Sequence, residues 1–314
     1  MTPVSKAARA LRAIIALALI PSAASAAEGL RAPRVALDLV SEYSAAPVGM
    51  PFHVGVRFRL EQGWHIYWKN PGDSGREPRL KWKVPAGATV GPIEWPMPKR
   101  FPLPPLANYG FDGEPILPVT VTLASPLRAG AQAKIGLDLD WLVCRVECIP
   151  GKGHLDLTLP LTAQDHGQVN AQNQSLIRAA LALVPTDAPA TVDARFAWAD
   201  GKFALEARDH GGGAWDRAES VEFFPEDGKL WVHGEEPNAQ MGPRSLRIEG
   251  RANPERREPP VAVAGVLVFH PAHAGLPPWA YRIQAMPGAD PPGRGGLAIL
   301  LFFAFLGGML LNLM

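Results

Sequence analysis

Cysteine is almost absent from this chain. Of its 314 residues only two are cysteines, Cys144 and Cys148, and three residues separate them. Two cysteines are too few for the disulfide framework of a small secreted domain, and no second pair is present to complete a four-thiolate zinc site. Any cysteine chemistry must therefore take place within one short stretch, residues 140–151.

A dominant charge is also lacking. Lys and Arg total 31 and Asp and Glu total 30, a net charge of +1. No basic cluster has aromatic residues between its cations, so we do not expect nucleic acid as a partner. Hydrophobic residues make up 47% of the chain, with 33 prolines and 31 glycines, which is typical of a folded, turn-rich and β-rich protein. The length is sufficient for about two domains.

Long apolar runs occur only towards the two ends of the chain. Residues 1–26 combine three cations, a short apolar run and the sequence Ala24-Ser25-Ala26, the features of a cleaved secretory signal peptide. Residues 289–296 have the composition of a linker, and residues 297–314 are apolar enough to begin a transmembrane domain. We therefore predict an exported, membrane-anchored protein in an oxidising compartment, where a cysteine pair can persist as a disulfide.

Residues 27–163 have the pattern of a β-sandwich. Apolar and polar residues alternate in short segments that proline and glycine separate. The seven predicted strands are 34–40, 52–60, 64–68, 80–84, 116–123, 133–143 and 154–161. With no long helix among them, they favour an immunoglobulin-like fold. Residues 95–118 contain seven prolines, and we predict that they form a long loop.

A change of pattern follows. Within residues 164–184 the apolar residues have helical spacing, which predicts one linker helix over 169–184 that packs against a domain. Strands resume in residues 185–288, at 191–198, 202–208, 220–224, 230–234, 245–250 and 261–269. The predicted fold class is therefore all-β, with two immunoglobulin-like sandwich domains joined by a short helix. The second domain contains no cysteine and no convincing catalytic cluster.

The cysteines lie where one predicted strand ends and a Pro-Gly turn leads into the next. A disulfide between them would close a very short loop and would stabilise the fold by only about 2 kcal/mol. Short, accessible disulfides exchange readily with other thiols. The spacing alone leaves three alternatives: a structural bridge, a redox pair, or a metal site that includes His154 and His65.

Four motifs resemble one family. The stretch Trp141-Leu-Val-Cys-x3-Cys-Ile-Pro-Gly151 is similar to the active-site segment of the amino-terminal periplasmic region of DsbD/ScsB transmembrane thiol-disulfide reductases. Three further motifs resemble those of the ScsB-like branch and occur in the same order. They are Gly-Trp-His-Ile-Tyr-Trp-Lys-Asn-Pro-Gly-Asp-Ser-Gly at 63–75, Gly-Pro-Ile-Glu-Trp-Pro at 91–96 and Asn-Tyr-Gly at 108–110.

The resemblance implies roles for named residues. Cys148 would attack the disulfide of a partner and Cys144 would resolve the mixed disulfide. His65 and Tyr67 would line the site, and a cap over residues 106–111 would cover it through Leu106, Tyr109 and Phe111. Arg145 and Glu147 flank the cysteines with charges that respectively favour and disfavour a thiolate.

The resemblance also implies an activity. The protein would take electrons from the membrane redox domain of the same full-length protein and reduce periplasmic thioredoxin-like disulfide proteins. This protein-disulfide reductase would act at the periplasmic face of the inner membrane, and thiol exchange would need no cofactor. The alternative is a non-catalytic binding module, or a copper-handling one as in the copper-tolerance systems of ScsB relatives, with the cysteines as metal ligands or a structural disulfide.

Overall fold

The computed structural model describes residues 29–273 and 275–289. The predicted signal peptide (1–26), the predicted start of a transmembrane domain (297–314) and nearly all of the 289–296 linker lie outside the described residues. Within the described part, no helix is long and apolar enough to span a membrane. These residues form 21 strands and one α-helix, which confirms the all-β prediction.

Thirteen strands build the first sandwich. They are β1 (Leu30–Ala32), β2 (Val35–Ser41), β3 (Tyr43–Pro47), β4 (Pro51–Leu60), β5 (His65–Gly72), β6 (Arg79–Lys83), β7 (Ala88–Ile93), β8 (Lys99–Leu103), β9 (Leu106–Asp112), β10 (Ile116–Leu123), β11 (Gln132–Cys144), β12 (Cys148–Thr162) and β13 (Gln168–Val169). One sheet has the order β1-β2-β4-β10-β7, and the other has the order β13-β3-β12-β11-β5-β9-β8 with β6 on β11. Their alternating apolar residues face each other and form one core.

The predicted loop over residues 95–118 is wrong. It contains β8 and β9, an antiparallel hairpin in which Lys99 pairs with Gly110 and Leu103 pairs with Leu106. Pro102, the proline within β8, is tolerated because β8 is the last strand of its sheet. Proline has no backbone N–H to donate. In an edge strand that position can face solvent, so no neighbouring strand loses a hydrogen bond.

The predicted helix is confirmed, with shorter bounds, as α1 (Ala171–Leu181). The Asn170 side chain caps its start by accepting a hydrogen bond from the Asn173 N–H at 3.1 Å. Ile177 and Ala180 are buried against Val40 and Ile116 of the first sandwich. The helix therefore packs on the first sandwich, as its apolar stripe predicts.

The second sandwich contains β14 (Thr186–Asp187), β15 (Val192–Ala199), β16 (Lys202–Asp209), β17 (Ala218–Pro225), β18 (Asn238–Met241), β19 (Ser245–Arg251), β20 (Val263–Pro271) and β21 (Trp279–Pro287). The order β17-β20-β21-β15-β16-β19-β18 closes around its own apolar core. The predicted strand at 230–234 is wrong, because only Trp231 forms an isolated bridge, to Ala252. Strands β14, β18 and β21 were not predicted from the sequence.

The two sandwiches share a continuous apolar interface. The outward-facing side of β17, β20 and β21 packs on the first sandwich rather than facing water. Buried together there are Trp68 and Tyr109 of the first sandwich and Phe224, Val266, Val268 and Ala280 of the second. The sandwiches therefore contact each other directly through buried side chains.

Candidate functional site

The two cysteines are joined at the tip of the β11–β12 hairpin. Cys144 ends β11 and Cys148 begins β12, and their sulfurs form a disulfide with an S–S distance of 2.11 Å. The loop between them is residues 145–147, closed by a hydrogen bond from the Arg145 N–H to the Glu147 carbonyl at 3.0 Å. The expected Pro-Gly turn is wrong, since Gly151 lies within β12 opposite Trp141. A Cβ at Gly151 would come within 2.2 Å of the Trp141 ring, so this glycine allows close packing.

The two cysteines differ sharply in exposure. Cys144 is only 1% exposed, whereas Cys148 is exposed. The difference follows from the sheet order, since β11 lies between β12 and β5, and Cys144 pairs with His65 of β5. At its first residues β12 has β11 as its only described strand partner, because its pairing with β3 is confined to Leu161 and Thr162. Cys148 is therefore accessible to a reactant, and Cys144 is covered.

His65 is the cross-strand neighbour of Cys144. It is 4% exposed, and its ring stacks on Phe101 with centroids 4.5 Å apart. Its Nε2 atom is buried and has no hydrogen-bond partner. Burial lowers the pKa of His65 to about 4, against the opposing effect of the Asp112 carboxylate. The imidazole is therefore neutral at neutral pH.

Tyr67 connects this buried group to the exposed cysteine. Its hydroxyl lies 3.4 Å from the Cys148 sulfur, and its ring meets His65 edge-on at 5.3 Å. The side chain is fully buried. Burial raises the pKa of Tyr67, partly offset by a hydrogen bond with Ser74, so the phenol keeps its proton. A protonated phenol is able to donate a hydrogen bond to sulfur.

Residues 72–76, which we call the 72–76 segment, cover Tyr67. Gly75 has φ +87°, and a Cβ there would lie 2.1 Å from the Tyr67 ring. Only glycine therefore combines this backbone conformation with this close approach. Asp73 accepts a hydrogen bond from the Ala107 N–H at 2.9 Å, and the Ser74 hydroxyl donates to the Asn108 side chain at 2.9 Å.

A further contact fixes the end of the 72–76 segment. Arg76 forms an ion pair with Asp140 of β11, four residues before Cys144. The segment is thus attached to both β9 and β11, the strands on either side of β5. From the sequence, this segment was indicated only as part of the 63–75 motif, and its position over Tyr67 was not predicted.

Two of the three residues expected to form the cap, Tyr109 and Phe111, point away from the cysteines. Tyr109 is buried at the interface between the sandwiches, and its hydroxyl bonds to Trp231 and His233. Phe111 is buried and stacks on Trp95. Leu106, 39% exposed, lies at the β8–β9 turn.

Strand parity explains this placement. Phe111 pairs with Ile66, so Phe111 and Tyr109 share the core face of the sheet. Phe101 pairs with Asn108, on the opposite face, where His65 and Tyr67 lie. Among the described contacts, the aromatic side chain that β8–β9 brings to the site is therefore Phe101. It was not predicted, because its position was assigned to a loop.

His154, the third residue of the alternative metal site, is remote from the cysteines. It lies six residues after Cys148 on one continuous strand, about 20 Å along β12. It bonds to Asp138 at 2.7 Å and to Asp156 at 3.1 Å, and these carboxylates raise the pKa of His154. Across residues 29–273 and 275–289, no group of three or more His, Cys, Asp or Glu side chains is arranged to hold a metal ion.

Glu147 and Arg145 lie in the exposed loop between the cysteines. The Arg145 guanidinium lies over the Trp64 ring, 5.4 Å from its centroid. Between these two residues, Val146 is 81% exposed. The loop therefore presents an apolar side chain, flanked by opposite charges, beside Cys148.

A sequence comparison decides the family of this region. Residues 36–160, which include both cysteines, match the family described as the N-terminal domain of the thiol:disulfide interchange protein DsbD. Residues 36–160 are therefore a domain of that family. The family performs thiol-disulfide interchange, and the disulfide described above is the group in this region able to carry it out.

One solved structure supports the same fold. The N-terminal periplasmic domain of ScsB from Proteus mirabilis aligns with a TM-score of 0.60 and 15% identity, covering 83% of this chain and 98% of that one. The alignment extends beyond the DsbD region and includes the second sandwich. A conserved domain protein from Bacillus anthracis aligns with 11% identity over 82% of this chain and 89% of its own, but its TM-score is 0.23. No curated protein sequence matches the chain.

Proposed function

We propose that the Cys144–Cys148 pair is a reversible redox centre that receives electrons as a disulfide and passes them on as a dithiol. The observation that carries this proposal is the unequal exposure of the pair, with Cys148 open to solvent and Cys144 1% exposed. A purely structural bridge has no need for such an asymmetry. A redox pair needs one sulfur that partners reach and one that is held in reserve.

The electron-accepting half begins with a donor dithiol. A donor thiolate attacks the exposed Cys148 sulfur, the S–S bond to Cys144 breaks, and Cys144 leaves as a thiolate that takes up a proton. The second donor thiolate then attacks the first donor sulfur in the mixed disulfide, which breaks the bond to Cys148 and releases Cys148 as a thiolate that takes up a proton. The donor is oxidised to a disulfide, and this chain gains two electrons and holds two thiols.

The electron-donating half reverses these roles. The Cys148 thiolate attacks a disulfide of the acceptor protein, which forms a mixed disulfide and releases one acceptor thiol. Cys144 then attacks the Cys148 sulfur and releases the second acceptor thiol. The acceptor is reduced and the starting disulfide re-forms, so no cofactor enters the balance.

Two buried groups support these steps. The Tyr67 hydroxyl, 3.4 Å from the Cys148 sulfur, donates a hydrogen bond that stabilises the thiolate of the attacking residue. The neutral His65 lies beside Cys144, and its Nε2 has no hydrogen-bond partner in the disulfide form. Its imidazole is free to pair with the Cys144 sulfur once that sulfur leaves the disulfide.

The proposed setting is the periplasmic face of the inner membrane. The donor would be a membrane redox domain of the full-length protein and the acceptors thioredoxin-like disulfide proteins. The family match and the signal-like residues 1–26 support this setting. Val146, 81% exposed beside Cys148, offers an apolar contact for either partner.

Equilibration in buffers of defined reduced-to-oxidised glutathione ratio tests the proposed function. Free thiols are alkylated and the chain is weighed by mass spectrometry, and the dithiol and disulfide forms are melted separately. We expect reversible conversion between two thiols and one internal disulfide, with both forms folded at room temperature. A dithiol form that unfolds would show instead that the disulfide is a structural bridge.

A further inference from the structure

The β8–β9 hairpin is attached to the second sandwich at its turn. The Arg100 guanidinium donates hydrogen bonds to the carbonyls of His233 and Gly234, at 3.0 and 3.3 Å. Gly234 lies directly against the hairpin turn, where a Cβ would come within 1.7 Å of the Pro105 carbonyl oxygen. The turn that contains His233 and Gly234 is therefore shaped to receive the hairpin.

Tyr109 attaches the same hairpin from inside the interface. Its hydroxyl accepts a hydrogen bond from the Trp231 indole N–H at 3.2 Å. The Nε2 atom of His233 lies 2.8 Å from the Gly228 carbonyl and must carry a proton, because a carbonyl only accepts. His233 Nδ1 is therefore the acceptor of the Tyr109 O–H, at 3.0 Å. Each of the three hydrogen bonds that join Trp231, Tyr109, His233 and Gly228 therefore has one donor and one acceptor.

A second attachment reaches the 72–76 segment. The Asn70 side chain, 2% exposed, donates a hydrogen bond from Nδ2 to the Pro225 carbonyl of the second sandwich at 2.7 Å. Its Oδ1 accepts the Gly72 N–H at 3.0 Å, which fixes the start of the 72–76 segment. One side chain thus connects the second sandwich to the backbone that covers Tyr67.

We propose that the second sandwich is a working part of the thiol site, because it positions the two elements that keep Cys144 out of water. Phe101 on the β8–β9 hairpin stacks on His65, the cross-strand neighbour of Cys144, and the 72–76 segment covers Tyr67. Both elements are held from the second sandwich through contacts remote from the sulfurs. The consequence for electron transfer rests on the redox function proposed above.

The effect on reactivity follows from burial. A thiolate that is shielded from water is disfavoured relative to the thiol, so a covered Cys144 reacts slowly while Cys148 reacts quickly. Loosening the interface admits water and reagents to Cys144. Attack by thiol reagents is then no longer confined to Cys148.

The test uses two interface variants of the full chain and one matched control. Gly234→Ala places a methyl group against the Pro105 carbonyl and disturbs the hairpin attachment. Asn70→Asp keeps an acceptor for Gly72 and replaces the donor to Pro225 with an oxygen. Gly242→Ala is the control, since a Cβ there meets only Ser245 at 3.6 Å, an ordinary contact.

The readout is the alkylation of each cysteine by iodoacetamide in the chemically reduced chain. Trypsin cleaves after Lys134, Arg145 and Lys152, so Cys144 and Cys148 fall on different peptides and their rates are measured in one sample. We expect the ratio of the Cys144 rate to the Cys148 rate to rise about tenfold in both interface variants and to stay unchanged in Gly242→Ala.

Thermal melts identify any variant that has unfolded. If Gly234→Ala does not fold, the rate ratio of Asn70→Asp alone tests the proposal. A wild-type rate ratio in either folded interface variant would overturn the proposal. The alkylation ratio does not depend on redox cycling. A wild-type chain that never cycles with glutathione, but whose Cys144 becomes accessible in the variants, would refute the proposed function and leave this inference standing.

Discussion

The Tyr67 hydroxyl oxygen lies 3.4 Å from the Cys148 sulfur, although 81 residues separate them in the sequence. Strand β5 and the tip of the β11–β12 hairpin bring the two together. A hydrogen bond to the charged form of a group stabilises that form, so this contact favours the Cys148 thiolate. The tyrosine therefore acts directly on the sulfur that we assign to attack.

Tyr67→Phe removes this hydroxyl and keeps the ring that packs under Gly75. We expect the reaction of reduced Cys148 with a small disulfide reagent at neutral pH to slow about tenfold, since hydrogen bonds to charged groups contribute about 1.5–3 kcal/mol. Tyr43→Phe is the control, because Tyr43 lies in β3 and packs on Phe52. Equal slowing in both variants would show a general effect of losing a tyrosine hydroxyl.

His65 gives a prediction for stability against pH. Its pKa is lowered by burial to about 4 in the folded chain and is about 6.5 when unfolded. Between these values the unfolded chain binds the extra proton, so acid favours unfolding. We expect the free energy of unfolding to fall as the pH drops from 6.5 to 4, with His65 contributing up to about 3 kcal/mol of the loss.

His65→Phe isolates this contribution, since phenylalanine keeps an aromatic ring against Phe101 and does not titrate. Urea unfolding of the wild type and the variant at pH 7 and pH 4.5 measures the difference. The variant should lose less stability on acidification than the wild type. Parallel pH dependences in the two chains would mean that His65 is not buried in its neutral form.

Gly75 gives a steric prediction. Gly75→Ala forces a side chain into a positive φ and into the Tyr67 ring, whereas Gly113→Ala has a similar φ of +70° with nothing within 4 Å of the added Cβ. Both pay the backbone cost, and only the first meets a side chain. Urea unfolding should show Gly75→Ala to be less stable than Gly113→Ala by about 1–3 kcal/mol. Equal losses would mean that the 72–76 segment does not press on Tyr67.

Much of the fold could be predicted because it depends on periodicity. Two-residue alternation predicted most strands of both sandwiches, and helical spacing with a following proline predicted α1. The hairpin of β8 and β9 could not be predicted this way, because Pro102 resembles a loop residue and is tolerated within a strand only at a sheet edge, while Pro105 lies in the turn. Edge position is a property of the sheet order, which a single sequence does not contain.

The site residues that lie within a recognisable motif could be predicted from the sequence. Those that strand pairing brings to the site could not. The resemblance named the cysteines, His65 and Tyr67, and the structure brings these four residues together. It also named Tyr109 and Phe111, which the parity of β9 turns into the core. The place of Phe101 at the site could not be predicted without the register of β8 on β9, because a shift of one residue moves every side chain of the strand to the opposite face of the sheet.

In the proposed mechanism the sulfur of Cys148 attacks the partner and the sulfur of Cys144 is protected. Two single-cysteine chains, Cys144→Ala and Cys148→Ala, test it most directly when each reduced thiol reacts at pH 7 with dithiobis-nitrobenzoate, whose released thiol is coloured. We expect Cys148, alone in Cys144→Ala, to react at least about tenfold faster than Cys144, alone in Cys148→Ala, with both chains folded. A Cys144 that reacts as fast as Cys148, or faster, would contradict it.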